Sequence, residues 1–343
     1  MSLRPIVRYF THSLMLPILE SGEETLVGGQ AVMEGVMMRA PHSYCVAVRK
    51  ASGEIVTDEV PVPRMSEQYP IFKLPIFRGL GTLFQAMKLG YKALTFSSNV
   101  MMADLAAAES KDGSKGPAKD GQLSAKQPPK ELPKWALTGN LVLMFGSFLF
   151  LYKFLPLYLA TQLGKVYPTL TGRLAFNFAD GFIRIAIFLT FMFALSRLKD
   201  IQRVFQYHGA EHKVVFNYES GEPVSVQAAQ RFTTFHPRCG TSFLMLLMIV
   251  SMLFYPFIPF TDFLPKLAMR IVLLPLIIGI CYEMIRYAAR HPGGLLTVLT
   301  TPGLWLQRIT TKPPSDQQAE VAIHALEHAM SLEKSQGGEL VIA

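Results

Sequence analysis

Residues 241–261, TSFLMLLMIVSMLFYPFIPFT, carry no charged side chain. A helix needs roughly 20 residues to cross about 30 Å of hydrocarbon, so this stretch reads as a membrane span. Three further segments resemble it. Residues 135–163 are apolar apart from Lys153, whose ammonium is expected to snorkel toward an interface. Residues 174–196 are apolar apart from Asp180 and Arg184, and residues 267–287 hold Arg270, Glu283 and Arg286 near their ends. In chain order the second and fourth segments, 174–196 and 267–287, also fit buried core helices. Half of the 343 residues are hydrophobic and 17% are charged, a balance typical of membrane proteins. The expected fold is mainly α: a polytopic membrane protein with about four transmembrane helices and a small N-terminal α+β unit containing a β-hairpin.

Basic residues set the orientation. The loop between the second and third segments carries Arg197, Lys199, Arg203, Lys213, Arg231 and Arg238, while the other short loops carry far fewer. Both termini and this loop are therefore expected in the cytoplasm, with the chain multi-pass in the inner (plasma) membrane. The net charge of +8 is explained by that topology, since no basic stripe interleaved with aromatics points to nucleic acid. Three scattered cysteines cannot make a disulfide framework.

Four units follow along the chain. Residues 1–106 form a cytoplasmic N-terminal unit with a Gly-rich segment (26–40), a hairpin turning at Ala51-Ser52-Gly53, and an amphipathic helix over 75–96. A basic polar face opposite an aromatic one suits that helix to the membrane interface, or equally to an ordinary core. Residues 107–134 read as a disordered linker, residues 135–310 as the membrane domain, and residues 311–343 as a cytoplasmic helix and tail. Gln30, Glu34 and Arg39 in the Gly-rich segment are candidates for a second polar centre. Asp180 and Arg184, at i and i+4, either mark a polar pathway or lie near the outer interface.

The chemistry centres on His208-Gly209-Ala210-Glu211-His212, an H-x-x-E-H pattern between two spans. On a helix both imidazoles share one face, able to hold Zn²⁺, with a carboxylate beside them to take a proton from water. His324-Ala325-Leu326-Glu327-His328 repeats the spacing near the C-terminus, but nothing near it supplies a third ligand, so it reads as solvated surface. Topology brings the loop His236-Pro237-Arg238-Cys239 and Glu283 to the same membrane face as the first motif. Three readings stay open. In a catalytic site His208, His212 and Glu283 hold zinc, Glu211 is general base, and Arg238 or Arg286 stabilises an oxyanion. In a structural site His208, His212, His236 and Cys239 close around the metal. With no metal, Glu211 pairs with Arg238.

Four blocks carry a resemblance: Val27 to Arg39, Phe205 to Lys213, His236 to Phe243, and Pro302 to Gln307. Together they resemble the YqhQ-like family of bacterial membrane proteins, a domain of unknown function described as predicted metal-dependent enzymes. The resemblance implies an integral membrane protein with His208, Glu211, His212, His236 and Cys239 at motif positions. It supplies no substrate. The expected function is a zinc-dependent hydrolase at the cytoplasmic membrane face, acting on a membrane-associated peptide or lipid. The alternative is a metal-stabilised scaffold or assembly factor that binds a membrane protein or lipid without catalysis. The lipid bilayer is a partner in either case.

Overall fold

The computed structural model describes residues 27–63, 65–112, 134–290 and 295–335. Four strands form one antiparallel sheet in sequence order: β1 (Gly28–Val32), β2 (Gly35–Arg39), β3 (Ser43–Arg49) and β4 (Ile55–Pro61). The expected hairpin is β3–β4, turning through Gly53 at φ 90°. The Gly-rich segment adds a second hairpin, β1–β2. Both central strands are buried on both faces, so their side chains alternate between two cores. Val36, Met38, Cys45 and Ala47 point one way; Met37, Tyr44, Val46 and Val48 point the other.

Helices cover both faces. The amphipathic helix α1 (Phe77–Asp112) lays Leu89 and Ala93 against Met37, Val46 and Val48, and it runs 36 residues rather than stopping near residue 96. Its last turn enters the segment expected to be a linker; residues 113–133 of that segment lie outside the described residues. Just before α1, Ile76 has a φ of 70°, an unfavourable value for a β-branched residue. Its amide donates to Glu283 at 3.2 Å and it packs on Gly279, so tertiary contacts hold the strained turn.

The helical body follows in order. α2 (Lys134–Leu149), a π turn at Phe150–Phe154 and α3 (Leu155–Val166) lead to α4 (Arg173–Leu195) and α5 (Lys199–Glu219). Then come α6 (Gly240–Phe254), α7 (Phe263–Val272), α8 (Leu274–Arg290), α9 (Leu295–Thr310) and α10 (Asp316–Ser335). Among the described residues two helices are long and apolar enough to cross a membrane, α4 and α6 with its extension to Phe257; a third arises if α7 and α8, bent by 43°, make one span. Pro275 at the start of α8 explains that bend, since it donates no amide and its ring crowds the preceding turn. The four expected spans are thus reduced to two or three. Around the π turn, α2 and α3 have 16 and 12 residues, each short for a crossing. Phe178, Phe182, Phe191 and Phe193 leave α4 with a broadly exposed aromatic surface suited to lipid.

Lys153 does not snorkel. It is 1% exposed and its ammonium bonds the Tyr255 hydroxyl inside the bundle. Asp180 and Arg184 are buried as well. They pair with each other in the bundle, where Arg270 on α7 also donates to Asp180 at 2.7 Å and to Asn177 at 2.8 Å.

The other face of the sheet packs against α5 and α10 through Tyr207, Ala210, Val214, Ala322, Ala325 and Leu326. Glu333 fastens the end of α10. Its buried carboxylate accepts from the His42 amide at 2.8 Å, the Ser43 hydroxyl at 2.9 Å and the His42 ring at 2.9 Å. Burial lowers the His42 pKa, but Glu333 and Glu67, the latter 3.0 Å from Nε2, outweigh it and hold the pKa above the ordinary value. A raised imidazole pKa contributes stability that is complete below its unfolded value of about 6.5 and is lost as pH rises through the folded value. Amides in the last turns of α10 are therefore expected to exchange faster at pH 8 than at pH 6 after correction for intrinsic rates. His42→Gln should flatten that dependence; a wild-type profile already flat would refute the role of His42.

Candidate metal centre

The H-x-x-E-H motif lies on α5, within the buried stretch of the helix that begins at Phe205. His208 Nδ1 sits 2.8 Å from the Thr310 carbonyl, and His212 Nδ1 2.5 Å from the Thr234 carbonyl. A carbonyl only accepts, so each Nδ1 carries the proton and each Nε2 keeps its lone pair. That is how second-layer partners orient imidazoles that bind metals. Cys239 completes the group. As N-cap of α6 it holds its Sγ 3.2 Å from His208 Nε2 and 3.2 Å from Thr241 Oγ1. One donor atom each from His208, His212 and Cys239 falls within 4.8 Å of the others. Two imidazoles and a thiol are a donor set that suits a borderline-soft cation such as zinc.

Glu211 stands beside this group, its Oε2 3.4 Å from His212 Nε2. Strand β1 closes over it, and a Cβ on Gly29 would come within 2.5 Å of Glu211 Cγ. Glycine at this place lets backbone and carboxylate meet.

His236 is drawn near but aimed elsewhere. Its ring centroid is 5.4 Å from that of His212, while its Nε2 faces Glu219 at 3.6 Å. Burial, assisted by His208 and opposed by Glu211, pushes its pKa down to about 4, so the ring is neutral at pH 7. Gln307 holds this turn, accepting from the His236 amide at 2.7 Å and donating to the His236 carbonyl at 2.7 Å and Ser242 Oγ at 2.8 Å. Arg238 pairs with Glu219 rather than with Glu211. Burial lowers the Arg238 pKa and the nearby charge of Glu211 opposes that.

Glu283 is not brought to the histidines. Its carboxylate is held in a fork by Arg78 of α1, with Nε at 2.6 Å. The Gly-rich residues also part company. The Gln30 side chain lies against Gly90, Glu34 pairs with Arg203, and Arg39 donates to Gln85 Oε1 at 2.6 Å. A two-residue hairpin turn separates β1 from β2 and sends these side chains to different neighbours, so they form no shared polar centre. In the second H-x-x-E-H, His328 Nδ1 lies 2.5 Å from Glu59 of β4 and its ring stacks 4.3 Å from His324. That motif packs beside the edge strand at the exposed surface.

A cavity of about 560 Å³ reaches chain neighbours of the cluster, although none of His208, Glu211, His212 and Cys239 lines it. It reaches Gly28, the neighbour of Gly29, and Arg238, the neighbour of Cys239. Arg39, Lys73, Arg78 and Arg286 also line it, and no carboxylate does. Sequence reading found Arg238 and Arg286 but missed Glu219, Gln307 and the two backbone carbonyls. Only the i, i+7/i+8 offset of Glu219 from His212 and Glu211 on α5 hinted at the first.

Fold and cluster together define a mainly helical protein with two to three membrane-length helices and a His/His/Cys group at one end of them. A family model described as "Protein of unknown function (DUF1385)" matches residues 74–332, and the chain belongs to that family. It is 33% identical over 313 residues to the "Uncharacterized protein YqhQ" of Bacillus subtilis (strain 168), covering 89% of this chain and 92% of that one. No solved structure matches the chain.

Proposed function

We propose that this protein is a zinc-dependent hydrolase acting at the membrane surface on a lipid with an anionic, phosphate-bearing headgroup. The observation that carries the reading is the orientation of His208 and His212. Both Nδ1 atoms are occupied by backbone carbonyls, His208 Nε2 lies 3.2 Å from Cys239 Sγ, and one donor atom from each of the three residues falls within 4.8 Å of the others. Three ligands leave a fourth position for water or substrate, the arrangement of catalytic rather than structural zinc. His236, facing Glu219, supports the open site over the closed four-ligand one. Zinc there supplies Lewis acidity toward water and toward the oxygen of the scissile bond.

Glu211 is the base in this reading. Its carboxylate is buried beside His212 Nε2, held by α5 and covered by Gly29, in reach of a water at the open position. The cationic cavity favours a lipid headgroup over a neutral peptide, since five basic side chains and no acid line it. Arg238 and Arg286 would steady the developing negative charge. We place the cavity at the cytoplasmic face of the inner membrane, with both termini inside. The basic residues of the loop after α4 support that orientation.

The test is metal content and turnover of the full chain in detergent. About one zinc per chain is expected in wild type and in Glu283→Ala, and loss of zinc in His212→Ala and Cys239→Ala. Glu211→Gln should keep zinc and lose about 100-fold or more of its turnover on vesicles of anionic phospholipid, read by mass spectrometry of lipid products. Protein never exposed to chelator that carries no zinc would end the metal reading. Retained turnover in Glu211→Gln would remove the base.

A further inference from the structure

At the end of the bundle opposite the metal centre lies a second cavity, of about 450 Å³. α4 separates the two sites: its 23 residues at 1.5 Å each make roughly 34 Å. Arg173 at the start of α4 lines the cavity, together with Lys165 from the end of α3 and Lys266 from α7. No carboxylate lines it. Three cations from three separate helices thus face one volume.

The floor is more unusual than the rim. Asn177 and Tyr255 belong both to the cavity wall and to the polar network inside the bundle. That network contains Lys153, Arg184 and Arg270 against one carboxylate, Asp180, and none of the four is more than 2% exposed. Asp180 accepts from both arginines, and Asn177 Oδ1 accepts from Arg270 at 2.8 Å while its amide donates to the Arg173 carbonyl at 2.8 Å. The Nε atoms of Arg184 and Arg270 are buried without a hydrogen-bond partner. Tyr255 is ringed by cations: Lys153, Arg184 and Arg270 all lie within 5.1 Å of its centroid. Buried charge at membrane depth is costly unless compensated. Here two arginines face one carboxylate before the rim is added, and their field emerges at a cavity whose rim has the same sign.

We propose that this cavity binds a phosphate-bearing anion, seated between Arg173, Lys165 and Lys266 above the Asn177–Tyr255 floor. Its source is either the headgroup of an anionic phospholipid or free phosphate. The exposed aromatic and aliphatic surface around the mouth, Phe257, Phe260 and Leu264, is where acyl chains would lie. This site needs neither the metal nor Glu211.

The experiment uses the full chain, purified in detergent and stripped of lipid, with an Arg173→Gln/Lys266→Gln variant. Arg173 is exposed and Lys266 only partly buried, so the changes spare the core. One probe is phosphatidylglycerol against phosphatidylcholine, with retained lipid counted by native mass spectrometry. The other is inorganic phosphate, read as a shift in melting temperature. Preferential retention of phosphatidylglycerol, weakened roughly tenfold or more in the variant, supports the lipid source. Stabilisation by phosphate, lost in the variant with no lipid preference, supports the free anion. Absence of both, or binding that the variant leaves intact, overturns the proposal. Arg173 and Lys266 belong neither to the metal cluster nor to the first cavity, so failure of the hydrolase reading leaves this result standing.

Discussion

Asp180→Ala is expected to cost the helix bundle about 3–5 kcal/mol, the cost of breaking a buried ion pair by removing one partner. The reason is arithmetic of charge. Asp180 is fully buried and accepts from both Arg184 on its own helix and Arg270 on α7. Without it two arginines share a dry interior with no carboxylate, and the link between α4 and α7 is lost. The loss of packing volume is minor beside this, since Asp→Ala removes few atoms. A lowered melting temperature in detergent is the readout. Asp180→Ala/Arg270→Met should recover part of the loss, because the double change removes a buried cation along with its counterion. Equal stability of Asp180→Ala and wild type would mean that water or a bound anion already compensates the arginines.

Gly209→Ala is the second large effect, and two opposing terms decide it. Alanine favours a helix over glycine by about 1 kcal/mol, so mid-helix Gly209 looks like an easy site for stabilisation. The structure reverses that sign. A Cβ at Gly209 would overlap the backbone carbonyl of Lys312 and press on the Thr234 methyl at 3.3 Å. Backbone is not the end of a flexible chain and cannot swing away. The segment after α9 is pinned there, with the Lys312 amide donating to the Phe205 carbonyl at 2.9 Å. Forcing it outward costs about 1–3 kcal/mol or more by overpacking, which exceeds the propensity gain. It also drags Thr310, whose carbonyl orients His208. Losing such a partner typically weakens metal affinity 10–100-fold. A zinc competition titration and a melting curve should both report the damage. A more stable variant with unchanged zinc affinity would show that the segment after α9 yields at little cost.

The helical body was legible because hydropathy and length are local quantities, and so was the β3–β4 hairpin, marked by alternation around Ala51-Ser52-Gly53. The β1–β2 hairpin was not. Its glycines and methionines obscure a period-2 pattern, and both faces of β2 are buried, which removes the polar half of the alternation. The span count fell for a related reason. Composition cannot reveal a π turn at Phe150–Phe154 or a 43° bend at Pro275.

At the site, H-x-x-E-H placed His208, Glu211 and His212 on one helix by spacing alone, because an i, i+4 offset is a property of any helix. The gathering of Cys239 with those histidines and the diversion of Glu283 to Arg78 depend on how α1, α6 and α8 pack. So does the carbonyl pair at Thr234 and Thr310, which fixes the imidazole tautomers from sites 22 and 102 residues away along the chain. The sequence by itself determined which segments are helical, which are apolar enough for a membrane, and which motif could carry the chemistry. Only the tertiary structure decided which donors meet, where Lys153 and Asp180 turn, and that basic side chains line two cavities at opposite ends. Those outcomes are set by contacts between residues far apart in the chain, whose energies no local pattern encodes.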